Sequence, residues 1–167
     1  MKKIESIIQV NEYKFKNYTV LNEIESEIAL KFRNDNKKWM INDEEISLEE
    51  HLKWIESLKH NNKTIYYLVF KDNKPFMAID YHDIDWNLKE AYWGYFLGDK
   101  SFKSEVLKIE KIIIDIAFNK LGLNKLICLN DINNSVINIH KFFGFKEDGI
   151  VTINNREFLK MYLIKED

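Results

Sequence analysis

Between Ile65 and Leu97 three β-prone runs follow one another with only short polar breaks, and this meander constrains the chain more than any other feature. Ile65 to Phe70 is dense in β-branched and aromatic residues, Lys71-Asp72-Asn73-Lys74 reads as a tight turn, and Phe76 to Ile84 resumes the extended pattern. Pro75 falls at the start of the second run, where a strand residue need not donate to the ladder. Asn87-Leu88-Lys89 is a second turn signal, leading into Glu90 to Leu97, the most aromatic run of the sequence. Strands joined by turns this short pair antiparallel, so a sheet stands at the centre and the flanking segments must cover it.

Those flanks change period. Ile7 to Val10 and Tyr18 to Leu21 are short β-prone pieces; from Asn22 the apolar positions Ile24, Ile28, Leu30 and Phe32 approach helical spacing, which runs out near Arg33 to Asn36. Ser47 with Glu50 is a capping box that starts a helix with the apolar face Leu48, Leu52, Ile55 and Leu58. Beyond the meander, Ser104 to Leu121 fits a long helix with Val106, Ile109, Ile113, Ile116, Ala117 and Leu121 near one face, and Gly122 caps its end. Leu126 to Leu129 is a short buried strand, Ser135 to Phe143 a helix ended by Gly144, and Phe145 to Ile153 with Glu157 to Ile164 a hairpin about Asn154-Asn155. The expected architecture is α/β (α+β): a mixed, mostly antiparallel sheet of about seven strands flanked by about four helices.

The length of 167 residues with 46% hydrophobic content suits one domain, 1–167, and the single proline and five glycines argue against long flexible linkers. A net charge of −2 with acidic and basic residues well mixed gives no basic stripe, so no nucleic-acid partner is expected. Cys128 has no cysteine partner and lies in the apolar run Leu126 to Leu129, as a buried inert thiol would. The charged start, Met1 to Glu5, precedes no long apolar stretch, and no segment reaches the roughly 18 uncharged apolar residues of a membrane span. No membrane, no metal and a cytoplasmic location are expected.

The densest motif is Asn133 to Phe145. It places Asn133, Val136, His140 and Gly144-Phe145 where members of the GNAT family of acyl-CoA-dependent N-acetyltransferases carry Asn, a small residue, Tyr and Gly-Phe, and the element order resembles that family from end to end. The resemblance implies acetyl-CoA as co-substrate. Asn133, Asn138 and Phe143 would contact the cofactor, and backbone amides of Tyr95, Phe96 and Leu97 would hold the pantetheine and polarise the thioester carbonyl. The family's glycine-rich pyrophosphate loop corresponds to Lys103 to Lys108, where neither glycine is present. Lys103 would take the basic position, and the amides of Ser104, Glu105 and Val106 would face the phosphates at a helix N-terminus. Glu105 beside two phosphates is unfavourable unless its side chain turns away.

A narrower resemblance links the chain to the small GNAT enzymes of bacterial nonulosonic-acid synthesis, which acetylate the 4-amino group of a nucleotide-linked 4-amino-4,6-dideoxy sugar. It rests on Phe32-Arg33-Asn34, Trp39-Met40, Ser47-Leu48 with His51-Leu52, and Tyr92-x-Gly94. By position, Arg33 and His51 would meet the nucleotide diphosphate, and a guanidinium is the side chain that a diphosphate selects. Trp39, Met40, Trp54 and Tyr92 would wall the 6-deoxy sugar. His140, at the family's Tyr position, is the candidate acid for the leaving thiolate. Asp80 stands where a Ser is the proposed base site, and His82 shares its strand face. UDP and GDP, and monomer and homodimer, remain open. Two other readings compete: a GNAT-shaped binding or assembly module with an impaired CoA site, and a GNAT acting on another amine or a peptide N-terminus.

Overall fold

The computed structural model describes residues 4–167; Met1 to Lys3, part of the charged start, lie outside the described residues. Among the described residues, eight strands form one sheet in the order β1-β2-β3-β4-β5-β6-β8-β7. In chain order they are β1 (Ile7–Val10), β2 (Tyr13–Asn17), β3 (Ile65–Lys71), β4 (Lys74–Asp85), β5 (Glu90–Leu97), β6 (Lys125–Asp131), β7 (Lys146–Ile153) and β8 (Arg156–Ile164). Four helices cover them: α1 (Glu23–Asp35), α2 (Leu48–Leu58), α3 (Val106–Asp115) and α4 (Val136–Phe142). All strand pairings are antiparallel except β5 with β6.

The expected meander is present, and its first turn and the turn of the β7–β8 hairpin share one chemical cause. Asp72 and Asn73 adopt φ of 51° and 61°, and Asn154 and Asn155 adopt 50° and 61°. Asn and Asp tolerate this left-handed backbone, which matches the twist of the flanking strands. Pro75 sits beside a register shift between Val69 and Phe70, a bulge that absorbs its missing N–H. The capping box at α2 forms as expected, and Asn22 with Glu25 builds a second at α1.

Two expectations change. Tyr18 to Leu21 is not a strand: Tyr18–Val20 is a 3₁₀ turn, because Asn17 accepts from the Thr19 N–H and bends the chain. The strand lies one step earlier, where Tyr13, Phe15 and Asn17 alternate inward. The long helix is also composite. Lys100–Glu105 is 3₁₀, Val106–Asp115 is α, and Ile116–Lys120 is a π-helical turn before Gly122 at φ 75°.

Alternation along the central strands divides the core between the two faces of the sheet. Tyr66, Leu68, Ala78 and Phe96 face α1 and α2, with Phe32, Ile55 and Leu58 packed on them. Tyr67, Ile79, Tyr81 and Trp93 face α3, with Ile109, Ile113 and Ala117. Gly98 lets α1 close against the end of β5, since a Cβ there would lie 2.0 Å from the Phe32 ring. Gly98→Ala should therefore cost about 1–3 kcal/mol through overpacking. Urea denaturation measures this; a midpoint equal to that of the unaltered protein would show that the α1–β5 contact is loose.

Candidate active site

The parallel ladder between β5 and β6 is short: Glu90 pairs with Lys125, Ala91 with Leu126 and Tyr92 with Ile127, and there it stops. Past Tyr92 the strands keep only their outer partners, β4 and β8. Backbone N–H and C=O groups on two facing edges are thus left to be satisfied by something other than the sheet. Trp93, His140 and Phe145 pack at the parting with their rings tilted to one another, centroids 4.9–5.5 Å apart.

A cleft of about 1270 Å³ runs through this gap and opens on both faces of the sheet. On the α3–α4 side its walls include Lys100, Lys103, Val106, Asn134, Ser135 and His140. On the α1–α2 side they include Arg33, Trp39, Met40, His51, Trp54, Asp80 and His82, with Tyr95, Phe96 and Leu97 between the two sides. Most of the expected site residues therefore meet in one cavity.

Six do not line it. Glu105 is the most informative: its carboxylate is turned inward, bonded to the Tyr13 hydroxyl and to Lys71 Nζ at 2.6 Å. The Lys71 and Tyr13 bonds hold that carboxyl below the usual range, so it is a satisfied anion pointing away from the cleft. Ser104 and Asn138 are exposed on outer surfaces, and Phe143 packs against the core and Phe142. Asn133 faces a separate depression with Asp131 and Arg156, because β6 runs on to Asp131 and the following turn carries Asn134 into the cleft instead. Tyr92 stands behind His82, stacked on its ring at 5.8 Å.

Two imidazole–carboxylate couples occupy opposite faces of β5. On the α1–α2 face, His82 Nδ1 lies 2.5 Å from Asp80 Oδ2. Burial pushes the His82 pKa down, but the bond and charge of Asp80, with Asp83 behind, outweigh it and raise the value above the ordinary one. Asp80 is in register with Gly94, and a Cβ at Gly94 would sit 3.3 Å from Asp80 Oδ1, so the glycine keeps that carboxylate open to the cleft. On the α3–α4 face, His140 Nδ1 lies 2.7 Å from Glu110 Oε1, and the Tyr95 hydroxyl donates to Glu110 Oε2 at 2.8 Å. Glu110 is 0% exposed and His140 2%.

The wall on the α1–α2 side is built from loop backbone as much as from side chains. Arg33 donates to the Glu44 and Asn42 carbonyls, which fastens the loop after α1. Arg156, which the sequence reading missed, reaches the same loop from β8. It donates to Met40 O at 2.6 Å and Lys38 O at 2.8 Å while pairing with Asp131. Tyr18 and Tyr66, also missed, close an aromatic box with His51 and Trp54. Burial depresses the His51 pKa, against a bond to the Ser26 backbone, and its Nε2 is buried without a partner.

No family model matches the sequence. A Campylobacter jejuni protein, acetyltransferase PseH, is 30% identical over 151 residues, spanning 89% of this chain and 80% of that protein. The same enzyme from a second strain is 36% identical over 108 residues, spanning 62% of this chain and 67% of its own length. The crystal structure of Campylobacter jejuni N-acetyltransferase PseH in complex with acetyl coenzyme A superposes with a TM-score of 0.75 at 25% identity, covering 92% of this chain and 99% of that one. A spermidine N-acetyltransferase, SpeG of Vibrio cholerae, shares the fold with a TM-score of 0.79 at 14% identity over 93% of this chain and 95% of its own.

The inward Glu105 makes a prediction about cofactor affinity. Were its charge facing the phosphates, Glu105→Gln would tighten acetyl-CoA several-fold in calorimetry. The geometry predicts no tightening and a lower melting temperature, from about 1–3 kcal/mol lost with the Lys71 and Tyr13 bonds.

Proposed function

The chain belongs to the PseH family of acetyltransferases, N-acetyltransferases of the GNAT fold that use acetyl-CoA, and from that premise we propose how its cleft works and on what. The acceptor is the 4-amino group of a nucleotide-linked 4-amino-4,6-dideoxy sugar in nonulosonic-acid synthesis, pseudaminic or legionaminic, attacking directly in a ternary complex. Both co-substrates are cytoplasmic metabolites, so the proposal places the enzyme there. The observation that carries it is the parting of β5 from β6, which puts two imidazole–carboxylate couples on opposite faces of one strand edge.

Acetyl-CoA supplies an activated carbonyl and a sulfur leaving group. The residues present suit it: two unpaired strand edges match the amides of a pantetheine arm, and Lys100 and Lys103 supply positive charge for its phosphates. Its body lies on the α3–α4 side, and the amine enters from the α1–α2 side. Asp80 and His82 receive the amine's proton; His82 bonds Asp80 through Nδ1, leaving Nε2 to accept. His140, on the other face, returns a proton to sulfur. Trp39, Met40 and Trp54 contact the sugar, with Tyr92 fixing the His82 ring behind them. Arg33 and His51 serve the diphosphate from the α1–α2 side.

A second reading has one observation in its favour. Glu44, Glu45, Glu50 and Asp80 all line the substrate side, and Arg33 already spends donors on loop carbonyls. That balance of charge suits a free amine better than a diphosphate.

An assay of thiol release from acetyl-CoA with UDP- and GDP-linked 4-amino sugars, beside diamines and polyamines, decides between them. Turnover with a nucleotide-linked sugar is expected, and turnover with free amines alone would establish the second reading. Asp80→Ala and His140→Phe should each lower kcat by about 10²-fold or more. Because His82 must be unprotonated to act, kcat should rise with pH through a limb above the ordinary imidazole value of about 6.5. Asp80→Asn, which removes the charge that raises His82, should move that limb to lower pH.

A further inference from the structure

Glu110 lies in a helix stripe that is otherwise apolar, with Val106 and Ile113 one turn to either side, yet it is wholly buried and ends on a cleft residue. Both carboxylate oxygens are occupied, by the Tyr95 hydroxyl and by His140 Nδ1. A carboxylate here has no structural need for an imidazole partner; methionine or leucine would fill the same stripe without desolvating a charge. The titratable groups on the packed elements about this pair are Tyr95 on β5, which meets both His140 and Glu110, and Cys128 on β6, which feels the Glu110 charge. Burial pushes the Cys128 thiol up to about 12, and burial with the Glu110 charge raises the Tyr95 phenol, so both stay neutral. Lys141, next on α4, is turned away to Glu147. Glu110 is thus the sole charge that His140 meets among the described residues.

We propose that Glu110 is a positioning residue of the acetyl transfer: it holds His140 as an imidazolium, fixes Nδ1 as a donor to itself, and directs the Nε2 proton into the cleft. This deepens the reading of His140 as the acid and rests on it. The physical reason is charge balance. With His140 neutral, the buried pair carries an uncompensated negative charge; with His140 protonated, the pair is neutral overall and both carboxylate oxygens of Glu110 are matched. In the transfer His140 breaks its Nε2–H bond and gives the proton to the departing sulfur as the C–S bond breaks. The imidazole left behind is neutral and keeps its Nδ1–H bond to Glu110. Solvent reprotonates it for the next turnover. A phenol at this place would need no such partner, whereas an imidazole needs one to remain an acid at neutral pH.

The first test needs no variant. Long-range ¹H–¹⁵N spectra of the four histidines across pH 6 to about 9 report tautomer and charge directly. The proposal expects His140 doubly protonated at pH 7, with Nδ1–H held by Glu110; a neutral His140 at pH 7 overturns it. In Glu110→Gln the alkaline limb of kcat should move to lower pH, while KM for acetyl-CoA stays within about twofold. A loss of activity with an unmoved limb would mark Glu110 as merely structural and sink the proposal. In a His140→Gln background, Glu110→Gln should cost no further kcat. If His140→Gln itself leaves kcat intact, the acid reading fails even where the spectra bear out the pair.

Discussion

Three residue pairs hold β5 to β6, and the loss of the ladder after Tyr92 and Ile127 is the constraint on which the site depends. A sheet that stayed paired would bury those backbone groups and leave no path between its faces. Because the ladder stops, the strand edges carry unmet hydrogen bonds, and the cavity connects a basic side at Lys100 and Lys103 to an acidic one at Asp80, Glu44 and Glu45. The outer partners β4 and β8 keep both edges rigid, and rigidity is what lets a strand edge act as a template rather than collapse.

Chemistry follows from the alternation of side chains along β5 and its neighbours. Gly94 and Phe96 face one helix layer and Trp93 and Tyr95 the other, so one strand delivers an open space above Asp80 and a phenol onto Glu110. The two imidazole–carboxylate couples are kept apart by the sheet itself. Each imidazole has its own carboxylate.

Much of the fold was legible because its signals are local. The Ser47–Glu50 box, the Asn154-Asn155 turn and the Gly144 stop at φ 92° act over a few residues, and each stands where the pattern placed it. The site was legible only in part, because its partners are distant in sequence. Glu105 looked hostile to phosphates until Tyr13 and Lys71, 92 and 34 residues away, turned it inward. The Asn133 expectation slipped by one residue because the length of β6 decides which asparagine enters the cleft. Glu110 carried a readable signal, a carboxylate in the Val106–Ile113 stripe, but helical period alone does not name its partner 30 residues on. Arg156 gave none, since its acceptors are loop carbonyls.

The central claim, that the β5–β6 parting binds acetyl-CoA through its unpaired edges, is tested most directly by backbone amide NMR during a titration with acetyl-CoA. The account predicts the largest shift changes at Trp93 to Leu97, Cys128 to Asn130 and Asn134 to His140, with little change on β1 and β2. Changes centred elsewhere, or none at millimolar acetyl-CoA, would contradict it.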